Sequence, residues 1–291
     1  MFIPRRILEE KLKQLLAEDT EQGDVTSAAV VPAGLMVEAT IVAKEAGVAA
    51  GIEETRILAE CLGLSVQAKA KDGEKIRNGQ VIIAVSGDAQ TILSAERTML
   101  NLLSRMCGIA TVTRRLVEKL EKASLPVKIA ATRKTAPGLG YFDKKAVLIG
   151  GGDTHRLHLG DMILVKDNHI AIAGNVESAV KRAKQHASFS KKIEVEVTCV
   201  KDALKAAEVG ADIIMLDNFS PNQIQEAIEA LKKAGFHGKI LLEASGGITQ
   251  ENLLEYAQTG VNIISLGELT HSVSALDLSL EIASTKRKGQ S

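Results

Sequence analysis

The chain has 291 residues, with 36 basic side chains against 36 acidic ones, so its formal net charge is +0. That balance excludes a global basic field for nucleic acid or a membrane surface, and any anion site must come from local clustering. Aromatic residues make up 2% and tryptophan is absent, which leaves no stacking platform for single-stranded nucleic acid and demands an aliphatic core.

Ile7, Leu8, Leu12, Leu15 and Leu16 recur at helical spacing and predict an amphipathic helix over Arg5 to Glu18. This stretch has no apolar signal core. No apolar run approaches the ~20 residues that span a bilayer. Cys61, Cys107 and Cys199 are far apart and match no CxxC or Cys/His metal spacing, so a reduced, cytoplasmic setting is expected. EDTEQGDVTS reads as a polar stretch with a turn at Gly23-Asp24. Met36 to Val48 reads as strand, and GIEETRILAECLGL as helix. VQAKAKDGEKIRNGQVIIAVSGDA reads as short strands between glycine turns. Thr91 to Leu120 predicts a long helix broken near Gly108.

Beyond Pro126 the texture changes to short apolar strands alternating with amphipathic helices. The predicted strands are VKIAATRKT, MILVKDNHI, KIEVEVT, IIMLDNF, KILLEASGGI and IISLGEL, which argues for consecutive parallel βα units. Each ends in charged or small polar residues. An open sheet gathers function at one switch point, whereas a barrel brings all strand ends to one mouth. The polar ends favour an incomplete βα barrel.

Four constellations carry chemistry. Thr132 to Ile170 holds Arg133, Lys134, His155, Arg156, Lys166 and His169, with His155-Arg156 following the glycine turn Gly150-Gly151-Gly152. Arginine forks suit carboxylates and phosphates, and lysine supplies point charge. Such a cluster on a neutral chain points to a small polyanion, although any one of these cations alone could be a solvated surface charge. Glu196 and Asp217 stand at strand ends among apolar residues and suit a divalent ion or a developing cation. Glu194 shares the parity of Glu196, so alternation leaves open which of the two reaches the mouth. Ser245-Gly246-Gly247 and Ser265-Leu266-Gly267 offer bare backbone N–H groups after the last two strands, a common phosphate position in barrels; tight turns are the bland alternative. Arg97 and Arg105 lie eight apart on the long helix, near one face, with Asn101 between them. By themselves they equally fit a packing helix with snorkelling arginines.

TRKTAPG, GGGDTHR, LVKDNHI, IEVEVT, IIMLDNF, EASGGI and SLGELTHS stand here in the order seen in quinolinate phosphoribosyltransferases. AEDTEQGDVTS and ERTMLNLLSRMCGIAT also resemble that family, and the likeness runs from about Leu15 to Leu280. It implies an α/β chain. An N-terminal α/β sandwich over 1–110 is completed by 271–291, and an incomplete parallel βα barrel over 111–270 carries the active site. It implies phosphoribosyl transfer from phosphoribosyl pyrophosphate to quinolinate with decarboxylation, and Mg2+ with no organic cofactor. It also implies a homodimer with shared active sites, some members assembling further to hexamers. By position, Arg133, His155, Arg156 and Lys166 resemble the quinolinate-binding residues, and Arg97 the arginine donated by the partner subunit. Lys134, Glu196 and Asp217 match positions that meet phosphoribosyl pyrophosphate and its Mg2+. Ser245, Gly246, Gly247 and Gly267 match the 5′-phosphate cradle, with His271 beside it. The chain departs from the family pattern at Ala136, usually Thr, and at Gly140, commonly Arg. The alternatives are a molybdenum-operon homologue of the same fold, which tends to lack KDNH, an aldolase using Lys166 as a Schiff base, and a non-catalytic anion-binding module.

Overall fold

The computed structural model describes residues 3–286. Residues 1–2 and 287–291, which belong to the expected N-terminal and C-terminal segments, lie outside the described residues. The chain divides into two compact units. One runs to Val112 and takes in Leu148–Gly150 and the chain from Val273; the other comprises Thr113–Val147 and Gly151–Ser272.

The first unit opens with helix α1 (Arg5–Thr20), which buries Leu8 and Leu12 on one face. Helix α2 (Val25–Val30) follows, capped by the Asp24 side chain, which accepts the Ser27 N–H at 2.9 Å. The chain turns at Gly23-Asp24 as expected, with Gly23 left-handed at φ 81°, and Asp24 then starts a helix that was not expected, its acidic side chain satisfying an orphan amide. Strands β1 (Met36–Ala43) and β2 (Gly47–Val48) replace the single strand expected there, because the chain turns between them at 44–46. Then come α3 (Ile52–Cys61), β3 (Ser65–Ala68), β4 (Lys75–Ile76), β5 (Val81–Asp88) and α4 (Ala89–Lys122). Helix α4 runs unbroken through Gly108, against the expected break. This glycine marks close packing: a Cβ there would collide with the Ser274 carbonyl oxygen. The segment that crosses at this point donates the Leu276 N–H to Ser104 O at 2.9 Å.

The second unit holds six parallel strands: β6 (Lys128–Ala130), β7 (Ile163–Val165), β8 (Ile193–Val197), β9 (Ile213–Asp217), β10 (Leu241–Ser245) and β11 (Ile263–Ser265). Helix α5 (Gly140–Ile149) follows β6, and α6 (Asp167–Ala173) and α7 (Val176–His186) follow β7. Helices α8 (Val200–Glu208), α9 (Pro221–Lys233), α10 (Leu253–Ala257) and α11 (Glu268–His271) each follow the next strand in turn. KDNH is thus not strand. The backbone leaves β7 at Val165, and His169 Nδ1 accepts the Lys166 N–H at 2.9 Å, capping α6. The last strand, β12 (Leu278–Lys286), returns to the first unit and pairs antiparallel with β1.

The first unit's main sheet has the antiparallel order β12-β1-β5-β3, and alternating residues such as Ile83 and Val85 of β5 are buried. The parallel sheet has the order β6-β11-β10-β9-β8-β7. With six strands it leaves β6 and β7 as edges, so the ring is incomplete, as the strand count predicts. Asp153 extends the β6 edge through a parallel bridge to Ala130. Lys191 Nζ, beside β8, donates to Gly160 O at 2.5 Å. The segment from Asp153 to Asp161 therefore fills the open side of the ring.

Candidate active site

The parallel register places the carboxyl ends of β9, β10, β11 and β6 in one row, Asp217, Ser245, Ser265 and Ala130. Glu196, in turn, pairs with Met215 on the neighbouring strand. Its carboxylate, with side-chain exposure of 13%, meets Lys166 Nζ at 3.4 Å. Two residues back on the same face, Glu194 is fully buried. The ambiguity left by parity is thereby settled: Glu196 reaches the mouth and Glu194 lies beneath it.

Arg133 and Lys134 follow β6 and are exposed. Their segment is tied down by the Thr270 hydroxyl, which donates to Lys134 O at 2.8 Å. Arg156 is buried, and burial together with the neighbouring Arg133 guanidinium lowers its pKa. Lys144 of α5 is buried as well, with its pKa pushed down to about 8 by burial and then by the charges of Arg133 and Arg156. Arg133, Arg156 and Lys144 thus bring three like charges together, a receptor whose repulsion an anion would relieve. Lys144 escaped the sequence reading because FDKKAV scans as an ordinary helix; yet Asp143, Lys144 and Lys145 are all buried. Its Nζ donates to Thr154 O at 2.5 Å and Arg156 O at 2.8 Å, so it clamps the backbone on both sides of His155.

His155 sits deeper than expected of a substrate ligand. Its Nε2 lies 3.3 Å from both Glu194 Oε2 and Glu243 Oε2, two carboxylates with 0% exposure. Its Nδ1 accepts the Arg156 N–H at 2.8 Å. Burial lowers the imidazole pKa, but the hydrogen bonds and charges of Glu194 and Glu243 outweigh it and raise it to about 9. The Arg156 N–H opposes the last of that gain, since a ring protonated on Nδ1 cannot accept it. Burial in turn raises the Glu194 pKa. Among the described residues, these three side chains also form the group whose ligand atoms, within 4.8 Å of one another, could hold a metal. A cavity of about 640 Å³ enters the barrel from the amino ends of the strands, past Lys128, Ile213 and Leu241, and reaches His155 and Glu243.

The glycine loops converge on the same mouth. Gly246 and Gly247 have φ of +88° and +63°, the left-handed region that favours glycine. A Cβ on Gly246 would stand 2.9 Å from the Asn218 N and collide with its side chain. Asn218, itself left-handed at φ 56°, donates Nδ2–H to Asp217 Oδ2 at 2.7 Å and its N–H to Ser245 O at 2.8 Å. A Cβ on Gly267 would stand 2.9 Å from His271 Cδ2 and 3.2 Å from Lys134 Cδ, so these three expected residues do come together. Arg97 is exposed on α4, in the other unit. Gly140 opens α5, and a Cβ there would press on Thr135 Oγ1 at 3.3 Å. Ala136 accepts the Leu139 N–H through its backbone oxygen at 3.1 Å, a bond that the usual threonine would keep.

Two family profiles match the chain: the N-terminal domain of quinolinate phosphoribosyl transferase over residues 24–107 and its C-terminal domain over residues 109–281. The chain belongs to the quinolinate phosphoribosyltransferase family. The chain is 46% identical over 275 residues to the probable nicotinate-nucleotide pyrophosphorylase (carboxylating) of Methanothermobacter thermautotrophicus, covering 94% of this chain and 99% of that one. It is 42% identical over 278 residues to the nicotinate-nucleotide pyrophosphorylase (carboxylating) of Mycobacterium leprae, covering 93% and 95%. The solved nicotinate-nucleotide pyrophosphorylase of Francisella tularensis superposes with a TM-score of 0.87 at 35% identity, over 96% of this chain and 97% of that one. Relatives of that name over more than nine-tenths of the chain weigh against the molybdenum-operon alternative, and family membership against the aldolase one. Among the described residues, no helix of this quinolinate phosphoribosyltransferase family member is long and apolar enough to cross a membrane.

Proposed function

We propose that the chain joins quinolinate to phosphoribosyl pyrophosphate, giving nicotinate mononucleotide, pyrophosphate and CO2. The observation that carries the reading is the cluster of mutually repelling cations Arg133, Arg156 and Lys144, in a barrel whose strand ends also carry the Lys166–Glu196 pair and Asp217. Arg133, Arg156 and Lys166 take the two carboxylates of quinolinate. Held there, the pyridine nitrogen faces the anomeric carbon, and positioning of this kind removes much of the entropic barrier. The nitrogen lone pair forms the new N–C bond while the C–O bond to pyrophosphate breaks and pyrophosphate leaves with that pair. Lys134 offsets its charge, and Glu196 or Asp217 faces the developing oxocarbenium ion. The ring nitrogen is now cationic, so loss of CO2 from the adjacent carbon leaves an electron pair that it stabilises, and a proton from water completes the product.

Glu196 and Asp217 supply hard oxygen donors on adjacent strands, a set that fits Mg2+, which takes one or two carboxylates plus substrate phosphates. Bound there, the ion would neutralise pyrophosphate charge. Gly246, Gly247 and Gly267, with Ser245 and His271, cradle the 5′-phosphate. Arg97 of a second copy completes the mouth in a homodimer, and the protein works in the cytoplasm. A Schiff-base role for Lys166 is disfavoured, because its Nζ is engaged by the Glu196 carboxylate at 3.4 Å.

The test is a coupled assay with quinolinate, phosphoribosyl pyrophosphate and Mg2+, with nicotinate as a parallel acceptor. One CO2 and one nicotinate mononucleotide per quinolinate consumed is expected. A folded protein that turns over neither acceptor, or that prefers nicotinate, overturns the reading.

A further inference from the structure

We infer that Glu194 and Glu243 are positioning residues for the phosphoribosyl transfer, gripping His155 from two strands and through it fixing Arg156 at the edge of the mouth. The inference rests on the reading of Arg133, Arg156 and Lys166 as the dicarboxylate receptor. The parallel sheet leaves a gap between β6 and β7, and the segment that fills it carries both His155 and Arg156. At its amino end this segment is held by backbone contacts: the Asp153 N–H donates to Ile129 O at 2.7 Å, and the Ala131 N–H donates to Asp153 O at 2.9 Å. In its middle the His155 ring crosses the barrel interior to Glu194 on β8 and Glu243 on β10, 3.3 Å from each. His155 adopts φ 51°, a left-handed conformation that a residue with a side chain holds only where its surroundings enforce it.

Two further observations point the same way. Glu194 and Glu243 have no partner outside this group, so the polar atoms the structure offers them are the His155 Nε2 and each other's carboxyl oxygens. Two carboxylates without such a partner in a barrel interior are costly, and a ring N–H between them offsets part of that cost. On its far side the ring accepts the Arg156 N–H at 2.8 Å, so the direction of the ring sets the backbone from which the Arg156 guanidinium departs. With both nitrogens committed, His155 acts as a brace. Fixing a ring through the hydrogen bond at its other nitrogen is also how histidine ligands are oriented elsewhere.

The experiment compares Glu194→Gln and Glu243→Gln, near-isosteric changes, with the wild type. We expect the quinolinate KM to rise about tenfold in each while kcat and the phosphoribosyl pyrophosphate KM change less than about threefold, a loss of ~1.4 kcal/mol confined to one substrate. An unchanged quinolinate KM, or an equal loss on both substrates, overturns the inference. A second measurement needs no variant: ¹⁵N NMR of the wild-type histidines, recorded above pH 9 where the ring has lost its second proton, is expected to show a His155 resonance protonated on Nε2 and bare on Nδ1. The opposite tautomer overturns it. So does stoichiometric bound metal that disappears in Glu243→Gln, since the carboxylates would then be ligands. Arg133→Ala is measured alongside. Normal kinetics in that variant would sink the receptor reading itself, whereas impaired Arg133→Ala beside unaffected glutamate variants would sink only the positioning role.

Discussion

The barrel mouth and the layer directly beneath it use the same residue types in opposite ways. At the mouth, Lys166 and Glu196 pair at 3.4 Å with the lysine half exposed, so water shares their charges and either can exchange its partner for substrate. One layer down, Glu194 and Glu243 are wholly removed from water and His155 nearly so, while Arg156 and Lys144, also buried, link this layer to the mouth. Charges there are poorly screened, and each contact fixes geometry more than it binds ligand. The pair Glu194 and Glu196 states the difference most compactly, since they share a strand and a face and differ by one step of depth. The mouth is built to exchange partners and the layer below to hold still.

By that division, the largest effects come from the mouth. Arg133→Ala removes an arginine fork for carboxylate and is expected to lower kcat/KM for quinolinate on the order of 100-fold, with the protein still folded. Steady-state kinetics with circular dichroism checks it, and a loss of less than about threefold would place Arg133 outside the receptor. Gly246→Ala is expected to raise the phosphoribosyl pyrophosphate KM by roughly thirtyfold, because the added methyl displaces Asn218 while the left-handed backbone resists any side chain. Glu196→Gln is expected to raise the Mg2+ concentration needed for half-maximal rate about tenfold, since it removes one of two carboxylate donors. A Mg2+ titration decides it, and an unchanged requirement would remove Glu196 from the ion.

The layer beneath predicts a pH effect on stability. Lys144 titrates near 8 in the fold, against 10.5 as the ordinary value, because burial and the charges of Arg133 and Arg156 oppose its proton, with Asp153 and Asp161 partly compensating. Between those two values the unfolded chain binds more protons than the folded one, so this group's contribution to stability rises with pH from about 8 to 10.5. Below about 8 the charged lysine carries its full desolvation cost. Thermal melting of the wild type against Lys144→Met across that range is expected to show the wild type gaining relative to the variant as pH rises. Parallel curves would mean that Lys144 is solvated and that the clamp on Thr154 and Arg156 is loose.

The same division explains what the sequence could tell. The six strands were legible because parallel strands buried on both faces read as continuous apolar runs, and the mouth cations were legible because they interrupt those runs at their carboxyl ends. KDNH was misassigned to strand because the helix start depends on the His169 ring reaching back to the Lys166 N–H, a contact that no hydropathy pattern records. The break expected at Gly108 follows helix propensity, but that glycine answers to Ser274, which is remote in sequence. Lys144 and Glu243 were invisible as functional residues for a related reason. A charge inside a helix or strand looks solvated until the tertiary fold encloses it. Arg133, Arg156 and Lys166 could be picked out one by one, but their grouping with Lys144 depends on the loop that fills the β6–β7 gap.

The smallest effect tests how closely the phosphate loop needs its glycines. Gly247 shares the left-handed backbone of Gly246, but a Cβ there meets nothing within 4 Å. Only backbone strain of about 1 kcal/mol then opposes Gly247→Ala, which corresponds to a fall in Tm of roughly 2–4 °C for a domain of this size. The phosphoribosyl pyrophosphate KM is expected to move less than about threefold, because a loop that keeps its path keeps its N–H groups aimed at the phosphate. Melting curves and KM values for the two alanine variants, measured side by side, separate strain from collision. A Gly247→Ala protein as impaired on phosphoribosyl pyrophosphate as Gly246→Ala would mean that the open space beside Gly247 is where the phosphate itself sits.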